Sequence, residues 1–83
     1  MSRVQLEFTV EPFVDGRPGP HVRAAIAAVE ARGLDVDMGP FSTTAEAEDA
    51  VAIDAIADLL SSALEAGASR VSLQVSRVPE APA

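Results

Sequence analysis

Apolar and polar residues alternate strictly along Val4–Val10, where Val4, Leu6, Phe8 and Val10 are separated by Gln5, Glu7 and Thr9. Period two with β-branched and aromatic members predicts a strand with one buried face. Glu11–Pro20 holds three prolines and two glycines, Asp15-Gly16 among them as a turn pair, and reads as a loop. Pro20 suits the first position of a helix with Gly19 as its cap. Val22, Ala25, Ile26 and Val29 then fall at helical spacing, so the helix runs to about Arg32, in a last turn where its charge suits the dipole, and Gly33 ends it. Leu34, Val36 and Met38 alternate with Asp35 and Asp37 as a second strand, and Gly39-Pro40 turns the chain. Phe41–Glu46, rich in β-branched threonine, reads as a third strand.

A second helix is expected over Asp49–Ala66, stopped by Gly67. Its expected buried face is Ile53, Ile56, Leu60 and Leu64 with Leu59 and Ala63 beside them, leaving Asp54, Asp58 and Glu65 toward water. Arg70–Arg77 is the last strand, with Val71, Leu73 and Val75 inward and Ser72, Gln74 and Ser76 outward. Residues 1–78 thus read as a single domain, and 79–83 as a proline-punctuated tail expected to fray. The order β-α-β-β-α-β, with helical crossovers and a short central turn, predicts an α+β, ferredoxin-like fold: a four-stranded antiparallel sheet with two helices on one face. The other face should present Gln5, Glu7, Thr9, Asp35, Asp37, Ser72, Gln74 and Ser76, plus alternate residues of Ser42–Glu46. Hydroxyls and amides outnumber long charged side chains there, which suits hydrogen bonding across a partly dry surface.

Charge narrows the function. Among 83 residues, thirteen acids oppose six bases, all arginine, for a net charge of −7. So acidic a chain repels phosphate backbones, and its outward strand positions lack the aromatic and basic residues of an RNA-binding sheet. With no cysteine, disulfides, thiolate metal sites and cysteine nucleophiles are excluded. The single histidine, His21, has no second imidazole as co-ligand and no orienting group for catalysis. No nucleophile–base pair, phosphate loop or metal-ligand register is visible, so the expectation is a non-enzyme without metal or resident cofactor. No signal peptide or membrane span is visible either, and the cytoplasm is the expected location. Eight acids and no base lie between Gly33 and Ser69, some of them bracketing the central hairpin. That local imbalance favours a cationic small ligand.

At Gly39-Pro40-Phe41-Ser42-Thr43-Thr44-Ala45-Glu46 the chain resembles the small thiamine-binding protein family, stand-alone ferredoxin-like domains. Glu7-Phe8-Thr9-Val10-Glu11-Pro12, Asp15-Gly16-Arg17, the Gly33-Leu34 junction and Gly67-Ala68-Ser69-Arg70-Val71 also fit, so the resemblance spans about Val4 to Val75. It departs at Ala47, where the family often has glycine, and after Arg77. The resemblance implies binding of thiamine or its hydroxymethylpyrimidine half and assembly as a dimer or tetramer. The ligand-binding residues expected are Thr9, Glu11, Asp37, Phe41, Ser42, Thr43, Thr44 and Glu46. Hydroxyls of Ser42, Thr43 and Thr44 would meet the pyrimidine edge. Glu46, Asp37 or Glu11 would face the thiazolium cation, and Phe41 or Phe13 would supply a wall. Thr43 and Thr44 are equally good strand formers, one able to point into the core, and both phenylalanines can serve as core or interface plugs. The alternatives from other classes are an amino-acid-binding regulatory domain and a purely structural oligomeric subunit.

Overall fold

The computed structural model describes residues 2–12, 18–39 and 42–79. Along the chain these form β1 (Arg3–Glu11), α1 (Pro20–Ala31), β2 (Val36–Met38), β3 (Thr43–Glu48), α2 (Asp49–Glu65) and β4 (Arg70–Arg77). The four strands make one antiparallel sheet in the order β2-β3-β1-β4. This is the α+β, ferredoxin-like arrangement the pattern predicts. The Asp15-Gly16 turn, Phe13, Phe41 and residues 80–83 of the expected tail lie outside the described residues.

The strict alternation of β1 decides the layering. Val4, Leu6, Phe8 and Val10 are all buried beneath the helices, which forces Gln5, Glu7 and Thr9 onto the opposite face. Register carries that division across the sheet. Glu7 lies opposite Thr44 of β3 and Gln74 of β4, and Leu6 opposite Ala45 and Val75. A one-residue slip would turn every apolar side chain of a strand to water, so burial on one side holds the register.

Helix α1 begins as its residues require. Pro20 occupies the first turn, and the Gly19 carbonyl accepts the N–H groups of both Val22 and Arg23 at 3.1 Å. The His21 Nε2–H donates to the Pro12 carbonyl, tying this turn to the exit of β1. Both helices end into a glycine of the left-handed region, Gly33 at φ 86° and Gly67 at φ 103°. Arg32, expected to serve the dipole of its own helix, reaches across to α2: its Nε lies 2.6 Å from Asp58 and its Nη1 3.8 Å from Asp54.

The buried stripe of α2 differs from the expected one. Leu59 and Ala63 of the expected face are core, joined by Ala52 and Ala55, all four wholly buried, and Ile56 and Leu60 pack half-buried against that core, whereas Ile53 is 66% and Leu64 56% exposed. The helix carries two apolar stripes about 120° apart, one of small residues around Leu59 and one of Ile53, Leu60 and Leu64. Alanines let α2 settle close against α1 and the sheet, and a close-packed interior rewards that approach. The bulky stripe is therefore displaced to a flank. On β4, Val75 faces the helix side as its alternation requires, yet it is 50% exposed because β4 is an edge strand. Strand β2 is shorter than expected, starting at Val36 after a buried Leu34, and β3 is shifted onward to Glu48.

Candidate functional site

The helix-free face is assembled from outward positions of all four strands. At its centre stands Glu7, between Thr44 on one side and Gln74 on the other. The Ser42 hydroxyl, just before β3, donates to the Glu7 carboxylate at 2.8 Å and so orients it. Around this pair lies an open depression of about 420 Å³, lined by Glu7, Phe8, Thr9, Ser42, Ser72, Leu73 and Gln74. Phe8 and Leu73 send their side chains to the helix side, so what they present here is backbone. A volume of a few hundred Å³ suits one small molecule. The chemistry offered is a carboxylate acceptor, an amide that both donates and accepts, and three hydroxyls.

Thr44 forms the ridge to a second depression, since it lies opposite Glu7 on β1 and Asp37 on β2. This hollow, about 430 Å³, includes Asp35, Asp37, Glu46, Gln5 and Arg3 and is more polar. Three carboxylates against one guanidinium make it a cation-attracting neighbour to the Glu7 depression. Among the described residues no cluster of metal-ligating side chains occurs, and no helix is long and apolar enough to cross a membrane.

The arginines reinforce this asymmetry. Arg70 pairs with Glu11 at 2.8 Å at one end of the sheet, and one Nη of Arg77 reaches both carboxylate oxygens of Asp49 at 2.7 and 2.8 Å. The hydrogen bond to Asp58, then its charge, holds the Arg32 guanidinium above its ordinary pKa, and Asp49 does the same for Arg77. The Asp58 carboxyl is correspondingly held below the usual carboxylate range by its hydrogen bond to Arg32. These cations are engaged away from the depression, and among the described residues none pairs with Glu7.

The eight residues expected at the site separate. Thr9 and Ser42 line the Glu7 depression; Asp37, Thr44 and Glu46 line its acidic neighbour. Glu11 is engaged with Arg70 at the strand end. Thr43 is only 6% exposed and belongs to the helix side, so the sheet separates its side chain from those of Ser42 and Thr44. Phe41 falls outside the described residues. The residues that reading along the hairpin left out are Glu7, Ser72 and Gln74. All three were visible as outward strand positions, but their juxtaposition depends on β1 pairing with β4 across the length of the chain.

Comparison with known proteins adds a lineage to this geometry. A family model described as "Thiamine-binding protein" matches residues 6–77. A Thermotoga maritima structure, provisionally assigned to thiamine biosynthesis or salvage, superposes with a TM-score of 0.67 at 28% identity. The alignment covers 94% of this chain and 84% of that one. A domain of unknown function from Bacillus cereus gives 0.68 at 26% identity, covering 95% and 78%. A Methanocaldococcus protein at 21% identity, TM-score 0.69, covering 98% and 84%, shares the fold. No protein of curated function matches the chain in sequence.

Proposed function

The chain belongs to the thiamine-binding protein family, and from that premise we propose that it binds thiamine or its hydroxymethylpyrimidine half in the depression around Glu7, without chemically altering it. The observation that carries this reading is the Glu7 carboxylate, oriented by Ser42 and flanked by Gln74 in an open hollow of small-molecule size. An aminopyrimidine presents an exocyclic amine beside ring-nitrogen acceptors. Glu7 accepts from the amine, while the Gln74 amide and the Ser72 hydroxyl supply donors to the ring nitrogens. The thiazolium cation then extends over Thr44 toward Asp37 and Glu46. In this reading the role is transport, salvage or buffering of the vitamin by an oligomeric, cytoplasmic protein.

Calorimetric titration with thiamine and with hydroxymethylpyrimidine tests this. Both should bind, and only thiamine, the cation, should weaken steeply with added salt. Glu7→Gln removes a charge-assisted acceptor worth roughly 1.5–3 kcal/mol, a loss of about ten- to a hundredfold in affinity. Absence of binding at millimolar ligand, or an unchanged affinity in Glu7→Gln, overturns the reading. A response to amino acids alone would favour a regulatory domain.

A further inference from the structure

The two hollows of the helix-free face differ in charge, and strand register sets them in line. Outward positions of β1 run Thr9, Glu7, Gln5 and Arg3, with Thr44 opposite Glu7 and Glu46 opposite Gln5. On the far side of β3, Asp37 lies opposite Thr44. A molecule that begins at Glu7 and extends over Thr44 therefore leaves a hollow with one carboxylate. It enters one of about 430 Å³ with three, Asp35, Asp37 and Glu46. Arg3 also lines that second hollow, four residues or about 13 Å along β1 from Glu7. Glu48 stands opposite Arg3 in register, so the one guanidinium of this hollow faces four carboxylates.

Proteins hold phosphate groups with guanidinium forks, ammonium groups, helix N-termini or runs of backbone N–H. The floor beneath Gln5 and Thr44 is strand backbone flanked by a partner on each side, and its N–H groups belong to the sheet ladders. Arg32, Arg70 and Arg77 are paired with acids away from the hollow. A phosphate monoester carries a charge of roughly −1.5 to −2 near pH 7. Placed here, it meets an excess of carboxylates and no donor to offset them among the described residues.

We propose that the site takes its ligand only as the free alcohol and rejects the phosphate esters, with Asp37 and Glu46 as the specificity-determining residues. This deepens the proposed function and rests on its placement of the pyrimidine at Glu7. Thiamine and its monophosphate share both rings, so discrimination falls at the hydroxyethyl arm, beyond Thr44. A single pair of like charges about 7 Å apart weakens binding about three- to sixtyfold, between the dielectric of water and that of a protein surface. A near-dianion against an excess of two carboxylates should therefore bind at least about thirtyfold more weakly than the free alcohol. The chain thus stands ahead of any phosphoryl transfer onto that alcohol. Phosphorylation is the class of reaction that consumes its ligand, and ester hydrolysis is one that supplies it.

The test is calorimetric titration of the full chain with thiamine, thiamine monophosphate and hydroxymethylpyrimidine, at about 0.1 M and about 1 M salt. At the lower salt the monophosphate should bind at least about thirtyfold more weakly than thiamine. At the higher, where the Debye length shrinks from about 10 to about 3 Å, the two affinities should converge. In the double variant Asp37→Asn, Glu46→Gln, thiamine should weaken and the monophosphate strengthen, narrowing the gap by roughly tenfold. Damage to the fold weakens both ligands, so opposite shifts identify the charge effect, and circular dichroism checks folding. Should the double variant unfold, the salt dependence of the wild type decides. A monophosphate that binds as tightly as thiamine overturns this inference alone, as does a gap that neither salt nor the variant moves. Failure of thiamine and the pyrimidine to bind at all overturns the proposed function, and this inference with it.

Discussion

Two truncations on α2, Leu59→Ala and Ile53→Ala, separate the buried stripe from the merely apolar one. Leu59 has no exposed surface and sits among alanines that cannot expand to fill a hole. Its truncation should cost about 3 kcal/mol, within the range for buried leucines. Unfolding entropy near 2.1 cal/mol/K per residue gives about 0.17 kcal/mol/K for 83 residues. The melting temperature should therefore fall by roughly 17 °C. Ile53 is 66% exposed, so only a third of its surface is withdrawn from water. Removing that contribution costs about 0.5 kcal/mol, partly offset by the better helix propensity of alanine, and the shift should be about 3 °C or less. Thermal unfolding followed at 222 nm, at concentrations where the chain is monomeric, measures both. Equal losses would refute the assignment of the core stripe and place α2 in the rotation that the bulky residues alone suggest.

Gly67 lies at φ 103° with open space where a Cβ would stand, so Gly67→Ala should cost only the left-handed backbone conformation, about 1–2 kcal/mol in chemical denaturation; no loss would refute the strain argument. The Asp58 carboxyl is depressed in the folded state by Arg32, so its contribution is present above the unfolded carboxylate pKa and is lost as pH falls through the folded one. Asp58→Asn should accordingly lower the melting temperature at pH 7 and converge with wild type in strong acid; a constant difference across that window would show that the pair acts by packing. Ser42→Ala should weaken ligand binding by removing the group that orients Glu7, whereas Thr43→Val, on the covered side, should leave binding unchanged in the same titration.

Element order, strand and helix boundaries to within a few residues, and the division of β1 into two faces were legible in the chain. So were the hydroxyls and acids of the helix-free face. Period two is a local property: wherever one strand face is buried, every second residue must be outside, whatever the partner strands are. Glycine and proline act locally too, and Gly33, Gly67 and Pro20 mark the helix ends where their backbone preferences place them.

What local pattern could not decide was which of two apolar stripes on α2 faces inward. Hydrophobicity favours the isoleucines and leucines, while packing distance favours the alanines, and distance is set by α1 and the sheet. Nor could it bring Glu7, Ser42 and Gln74 together. Those residues meet only because β1 sits between β3 and β4, a pairing that joins the two ends of the chain. The sequence by itself determined the architecture, the composition of the open face and the family to which that pattern is similar. Tertiary structure determined where the carboxylate stands, which hydroxyls serve it and which valines are left at an unpaired edge, because each is a relation between distant segments that only long-range pairing and close packing establish.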